Sequence, residues 1–419
     1  MSLPPVAAGN PLRLDGPLRL RPVPPVPADP ALPALAALVD GRQVAQLLQP
    51  LVGTHLEVAP RYARYKALNK ATFLYDVAAG ERRTAVVVTV AALRDLRKVL
   101  ARPETEQLAA AARPRCLSDT PVAFLDEPAI LVEWYPARVG LPGMAADPRH
   151  LVEPGLEAVA AAGAPDEPTL VSYKPERRAV LRWGRTYMKA YLGEADYRAA
   201  VVGLRASGPL AGMGAPALLA QVDDLRLTFQ AEVDGREGAS PRELGDVLAR
   251  LHGCRPSCRL DEQLAADHLA GAASTAEQVG WLVPALREPV SALVADLRRT
   301  APDPGPLVLS HGDLHLDQAL GDGDTVRLVD FDHLCMADSG HDPATLAAHL
   351  VNGAEGELER AIGVLDEVLA GYGQRPPALA WHLAVEILRR ATYPFRLLEV
   401  DWPARLARMV DDARRALRS

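Results

Sequence analysis

The chain has 419 residues, 49% of them hydrophobic, enough apolar material for one to three buried cores. A formal net charge of −7 leaves no basic excess for nucleic acid or an anionic membrane. No apolar run is as long as a membrane span, and no basic start followed by an apolar stretch opens the chain, so a cytoplasmic protein is expected. Cys116, Cys254, Cys258 and Cys335 form no disulfide-like framework. Cys254 and Cys258 lie near His252, but no second pair completes a four-ligand zinc site.

Residues 1–30 are rich in proline and leucine without a sustained period, and read as an extended arm. An internal repeat follows. "LPALAALVDGRQVAQLLQPL" from Leu32 is echoed by "LPGMAADPRHLVEPGLEAV" from Leu141, and "RYKALNKATFLYDV" (Arg64–Val77) by "SYKPERRAVLRW" (Ser172–Trp183). Tyr65 and Tyr173 are then equivalent, at an offset of 108 residues. A period that long suggests a duplicated α+β unit, each copy a short helix followed by a β-hairpin with a Gly-containing turn. The copies differ where chemistry could sit. The strand "RTYMKAY" of the second carries Lys189, whereas "RTAVVVTVA" (Arg83–Ala91) of the first has Thr89 near that place.

Glu194–Ala206 reads as a helix, Leu225–Gly235 as a strand with an exit turn, and Ser240–Gly253 as a capped helix. The remainder is mostly helical, with apolar stripes over Gly356–Leu369 and Pro377–Ala391. The expected domains are an arm (1–30), an N-terminal α+β cap (31–138), a β-rich lobe (139–235) and a mostly helical lobe (236–419).

Chemistry concentrates in "LVLSHGDLHLDQAL" (Leu307–Leu320). Leu307–Leu309 reads as a strand, "GDGD" (Gly321–Asp324) as a tight turn, and "TVRLVDFDH" (Thr325–His333) as a strand ending in acids. Strands joined that way bring Asp313 and Asp330 together. Two such carboxylates repel unless a cation lies between them or one is protonated, and oxygen-only ligands favour Mg²⁺. Only five lysines stand among many arginines: Lys66, Lys70, Lys98, Lys174 and Lys189. A lysine retained at a strand position suits a compact ammonium placed against phosphates.

"HGDLHLDQ" followed by "DFD" resembles the aminoglycoside phosphotransferase and choline kinase family, over roughly residues 165 to 400. That resemblance implies an α+β, protein-kinase-like two-lobe fold, here with an additional N-terminal α+β domain resembling a duplicated N-lobe unit. It implies an ATP- and Mg²⁺-dependent phosphotransferase whose acceptor is a hydroxyl of a small molecule: a sugar, an aminosugar or another metabolite. Asp313 would be the catalytic base and Lys189 would hold the α/β-phosphates. Glu194 or Asp196 would pair with Lys189. The backbone of Gln230 to Glu232 would meet the adenine. Asp330 and Gln318 would hold the metal, and Asp332 would be either a second ligand or a loop-bracing acid. His311 reads as a brace for the loop, and His315 as a brace or a substrate contact.

Three features depart from the family pattern. Gln318 replaces an asparagine, a substitution that resembles maltokinases, which also carry an extra N-terminal domain. No glycine-rich loop precedes Lys189, so "KPERRAVLRWGR" (Lys174–Arg185) must cover the nucleotide. The downstream acidic loop has Thr345 where the family has its second acid. The residues leave other readings open. One is a metal-dependent phosphohydrolase built on His311, Asp313, His315, Asp330 and His341. Another is a pseudokinase that binds nucleotide or a partner. A third is a kinase acting on Ser or Thr of a peptide natural product, with the N-terminal copy as the peptide-binding surface.

Overall fold

The computed structural model describes residues 18, 22–146, 168–322, 325–354 and 356–419. Most of the arm, most of the stretch from Leu141 that echoes the first copy, and the tip of the 321–324 turn lie outside them.

Two antiparallel sheets fill the first half. The first comprises β1 (Glu57–Lys66), β2 (Lys70–Ala79), β3 (Arg82–Ala91), β4 (Val122–Leu125) and β5 (Ile130–Trp134), in the order β1-β2-β3-β5-β4. The second comprises β6 (Thr169–Lys174), β7 (Arg178–Trp183), β8 (Thr186–Tyr191), β9 (Leu218–Val222) and β10 (Leu227–Ala231), in the order β6-β7-β8-β10-β9. The order is the same, and the first strand of each carries a bulge. Register makes the equivalence specific. Thr72 of β2 faces Thr89, and Val180, 108 residues on, faces Lys189. Thr89 therefore occupies the Lys189 position of the first sheet.

Alternation along each strand gives these sheets two distinct faces. In the first sheet, Phe73, Tyr75, Val86, Val88 and Val132 enter a core shared with the helix Gly41–Leu48 and the C-terminal helices. Leu74, Ala85 and Val87 turn the other way, into a cluster with Leu181, Trp183, Met188, Leu227 and Phe229 of the second sheet. Burial on both faces explains why β3 reads as a nearly continuous apolar run, "AVVVTV". With that face of the second sheet covered, Arg178, Lys189, Tyr191, Thr228 and Gln230 lie on the opposite one.

The helix Glu194–Ala206 links β8 to β9. Gly203 lets it lie directly on the chain beyond, since a Cβ there would come within 2.4 Å of the Phe331 carbonyl oxygen. From Pro241 on, the chain is mainly helical. A β-rich lobe with one helix between its third and fourth strands, set against a helical lobe, is the protein-kinase-like two-lobe fold, here preceded by the duplicated unit. Among the described residues, no helix is long and apolar enough to cross a membrane.

The hairpin differs from the expected one. Its strands are Ala319–Asp322 and Thr325–Leu328. Leu307–Ser310 pairs instead with Cys335–Asp338, in a small sheet that also takes Glu262–Gln263. The segments that carry Asp313 and Asp330 are set side by side by the pairing of Ser310 with Cys335, not by one hairpin.

Leu74→Ala would leave a cavity in the layer between the two sheets. It should cost about 2–5 kcal/mol in denaturant unfolding. Because the layer is shared, intrinsic fluorescence and far-UV circular dichroism should report one common shift of the transition.

Candidate active site

The strand leading to Asp330 ends at Leu328, five residues before the expected end. Asp330 takes a left-handed backbone (φ +69°), and Phe331–His333 make a single 3-10 turn. Aspartate tolerates that conformation better than most residues. The turn directs two carboxylates at the open face of the second sheet. Lys189 Nζ donates to Asp330 Oδ1 at 2.6 Å and to Asp332 Oδ1 at 2.8 Å. Arg178 Nη2 donates to Asp330 Oδ2 at 2.7 Å, and Nη1 reaches Asp332 Oδ2. The Tyr191 hydroxyl donates to Asp332 Oδ2 at 2.9 Å. Lys189 and Asp332 are almost closed to solvent, with 7% and 2% of their side chains exposed. Burial opposes ionisation of Asp330, but Arg178 and Lys189 outweigh it and hold the carboxyl well below its usual range. Two cations and two anions leave this knot electrically balanced.

Here the structure corrects one expectation. Glu194 does not meet Lys189. It begins its helix in solvent and pairs with Arg198 one turn later at 2.6 Å. Asp196 is exposed as well. The two loop acids already satisfy Lys189, so the helix supplies no partner.

The segment after Leu307–Ser310 is held from below. Asp342, fully buried at the start of the helix His341–Leu350, accepts from the backbone N–H of His311 at 2.7 Å and of Gly312 at 2.9 Å. His252 Nε2 lies 3.2 Å from the same carboxylate, and His252 Nδ1 is 2.7 Å from the Tyr372 hydroxyl. His252, not a second acid, supports Asp342 here. Gly312 has φ +85°, and a Cβ there would stand 2.0 Å from the His333 carbonyl oxygen. His311 Nε2 reaches the Val329 carbonyl at 2.9 Å, tying the loop to the residue before Asp330.

Asp313 emerges from this loop with 30% of its side chain exposed. His349 Nε2 lies 3.5 Å from its Oδ1, and Arg390 Nη2 lies 3.6 Å away. Burial works against its charge, but the His349 hydrogen bond and the Arg390 charge prevail and hold it well below the usual range. Arg390 is fixed in turn by Glu386, one helical turn back. The His315 ring packs on that of His349, with centroids 4.6 Å apart. Burial, followed by the neighbouring His349, pushes His315 down to about 3, so its imidazole is neutral.

Gln318 is buried. Its Oε1 accepts from the His315 N–H at 3.1 Å, and its Nε2 has no partner among the described residues. Gln230 lies on the open face of β10, with its amide donating to Thr228 at 3.2 Å. Glu232 follows β10 and pairs with Arg182 at 2.6 Å. Lys174, at the end of β6, is pushed down by burial and by Arg178, while Asp313 and Asp330 oppose the shift. It therefore borders the site. Asp330 and Asp332 offer carboxylate oxygens of the kind Mg²⁺ takes, whereas the Gln318 Oε1 is engaged by the His315 N–H. His268, His341 and Glu386 also converge, with ligand atoms within 4.8 Å of one another. Arg389 and Arg390 already bind that carboxylate, and two guanidinium charges oppose a divalent ion there.

Sequence reasoning singled out none of Arg178, Tyr191 and His349, and Arg390 entered it only within the stretch Arg389–Leu397, a candidate lining of the acceptor pocket. Only Arg178 left a signal, standing 108 residues after Lys70 as the first residue of the corresponding strand.

Residues 170–382, about half the chain, match the phosphotransferase enzyme family. Similar solved structures include an aminoglycoside phosphotransferase from Streptomyces rimosus, 21% identical over 56% of this chain and 96% of that one, with a TM-score of 0.40. Another is a choline/ethanolamine kinase family protein from Mesorhizobium loti, 16% identical over 63% and 94%, with a TM-score of 0.43. A third is a choline kinase from Streptococcus pneumoniae, 13% identical over 62% and 97%, with a TM-score of 0.45. The search of curated proteins found no match.

Asp342→Asn should destabilise the protein by about 3 kcal/mol, because one charge holds two backbone donors and a histidine. Burial raises the Asp342 pKa, but the His252 hydrogen bond and charge outweigh it, so the folded value lies below the unfolded one. Its contribution is complete above about pH 4, the unfolded value, and is lost as pH falls through the folded value. Thermal unfolding followed from pH 7 to pH 3 should show that acid loss in the wild type, and a smaller one in Asp342→Asn.

Proposed function

The chain belongs to the phosphotransferase enzyme family, and we propose that it moves the γ-phosphate of ATP, with Mg²⁺, to a hydroxyl of a small neutral polyol such as a sugar. The observation that carries this reading is the separation of two acidic groups into different states. Asp330 and Asp332 are neutralised by Lys189 and Arg178. Asp313 is held well below the usual carboxylate range, is partly open and lies 3.5 Å from the His349 imidazole.

An acceptor hydroxyl placed against Asp313 would give its proton to that carboxylate as the phosphoryl group arrives. Arg390 and His349 fix the carboxylate's orientation. Lys189 and Arg178 are the cations available to phosphate oxygens on the open face of the second sheet. Gln230 to Glu232, at the end of β10, would present backbone groups to the adenine. Asp330, with Gln318 and Asp332, would hold Mg²⁺, which spreads the charge that builds on the phosphates. The groups bordering Asp313 are a guanidinium and two imidazoles. They suit neutral hydroxyls better than the ammonium groups of a polycation.

Asp313→Ala should retain Mg²⁺-ATP binding by isothermal titration while kcat falls by about 10³-fold or more. Asp330→Ala should lose the Mg²⁺-dependent part of nucleotide affinity. Wild-type protein that binds ATP but consumes none against a panel of sugars and polyols would favour the pseudokinase reading. A wild type that turns over only with a Ser- or Thr-containing peptide would move the acceptor to that class.

A further inference from the structure

The turn between β6 and β7, Lys174 to Arg177, contains no glycine, yet it borders the site from above. Its two sides face different partners. Arg177 Nη2 lies 3.4 Å from His333 Nε2, and Arg178, the next residue, belongs to the ion knot. The other side is gripped by the first sheet. Glu176 receives Lys70 Nζ at 3.0 and 3.1 Å, the Thr72 hydroxyl at 3.0 Å and Arg138 Nη2 at 3.2 Å. Arg138 Nε also donates to the Pro175 carbonyl at 3.1 Å. Arg138 is itself set by Glu133, a fully buried acid on β5 that also accepts from the Val139 N–H at 2.7 Å. Only 10% of the Glu176 side chain is exposed. Burial would raise its pKa, but Lys70 and Arg138 overcome that and hold it ionised.

The first sheet is also anchored on its other face, at Tyr65 opposite Ala71. The Tyr65 ring meets Phe395 edge-on, with centroids 5.8 Å apart, and its hydroxyl donates to Asp29 at 2.8 Å. The Trp402 indole donates to the Pro25 carbonyl at 2.8 Å. The receptor for Glu176 is therefore fixed to the helical half as well as to the second sheet.

We propose that the N-terminal unit is a brace for the nucleotide. Lys70, Thr72 and Arg138 hold Glu176, and Glu176 positions the Lys174–Arg178 turn over the phosphates. This rests on the ATP reading above. A glycine-rich loop closes on phosphate through its own pliable backbone. This turn lacks that freedom, so its position is supplied by tertiary contacts. Glu176 is a positioning residue and touches no reacting atom.

The test is nucleotide binding and steady-state kinetics in the full chain. Glu176→Gln keeps the shape and removes the charge. It should raise Kd and KM for Mg²⁺-ATP about tenfold, the effect of losing one charge-assisted contact set. kcat and the acceptor KM should stay within about twofold, as expected when only uniform nucleotide binding is lost. Lys70→Met, on the rim of the contact, should act in the same direction, Lys70→Arg should restore affinity, and Lys70→Met with Glu176→Gln should be no worse than either alone. Unchanged ATP affinity in Glu176→Gln overturns the brace. So does an equal rise in the acceptor KM accompanied by a fall in melting temperature, because that describes a general loss of structure. If the wild type itself binds no Mg²⁺-ATP, the nucleotide reading fails first and takes this inference with it.

Discussion

Everything in this molecule that bears on chemistry is arranged around four charges: Lys189 and Arg178 from one sheet, and Asp330 and Asp332 from one loop. Each is costly to bury alone. Together they cancel, and the remaining hydrogen-bonding capacity is met in part by Tyr191. The knot joins the β-rich lobe to the helical lobe. Its geometry depends on a left-handed aspartate, on a helix able to lie against Phe331 through Gly203, and on His311 holding the residue before Asp330. A substrate bearing several negative charges and a metal would find the cations already in place. It would have to compete with the acids for them, which makes the site electrostatically prepared without being saturated by solvent.

The two sheets share a strand order but use equivalent positions differently. The first residue of the second strand is Lys70 in one and Arg178 in the other, and each takes carboxylates from another part of the chain. The position of Lys189 is taken in the first sheet by Thr89, whose hydroxyl lies 3.4 Å from that of Thr72. The first sheet thus keeps a basic position for an anion, and the second sheet's Glu176 supplies that anion.

Much of this was legible in the residues. The offset of 108 predicted a second unit; it holds from Thr72 to Val180, and their partners Thr89 and Lys189 correspond at an offset of 100 because the second hairpin is shorter. The acids within "HGDLHLDQ" and "DFD" stand out because such groups rarely cluster without a cation. The pairing of Leu307–Ser310 with Cys335–Asp338 was not legible, since "CMAD" carries neither alternation nor β-branched residues. Glu194 misled because a helix start after a strand is a reasonable place for a lysine's partner. Nothing local could show that Asp332 would be nearer. His349 and Arg390 lie on two helices whose approach to Asp313 is decided by packing among the C-terminal elements, which no short motif encodes.

The layer between the sheets separates two kinds of boundary. The match to the phosphotransferase enzyme family starts at residue 170. Leu170 itself, with Leu181, Trp183 and Phe229, lies in a cluster whose opposite wall is Leu74, Ala85 and Val87. A shortened chain that began there would lose that wall and present Leu170, Leu181, Trp183 and Phe229 to water as one apolar surface, of the kind that drives self-association. The stretch that carries the family match is therefore shorter than the stretch whose apolar faces are covered.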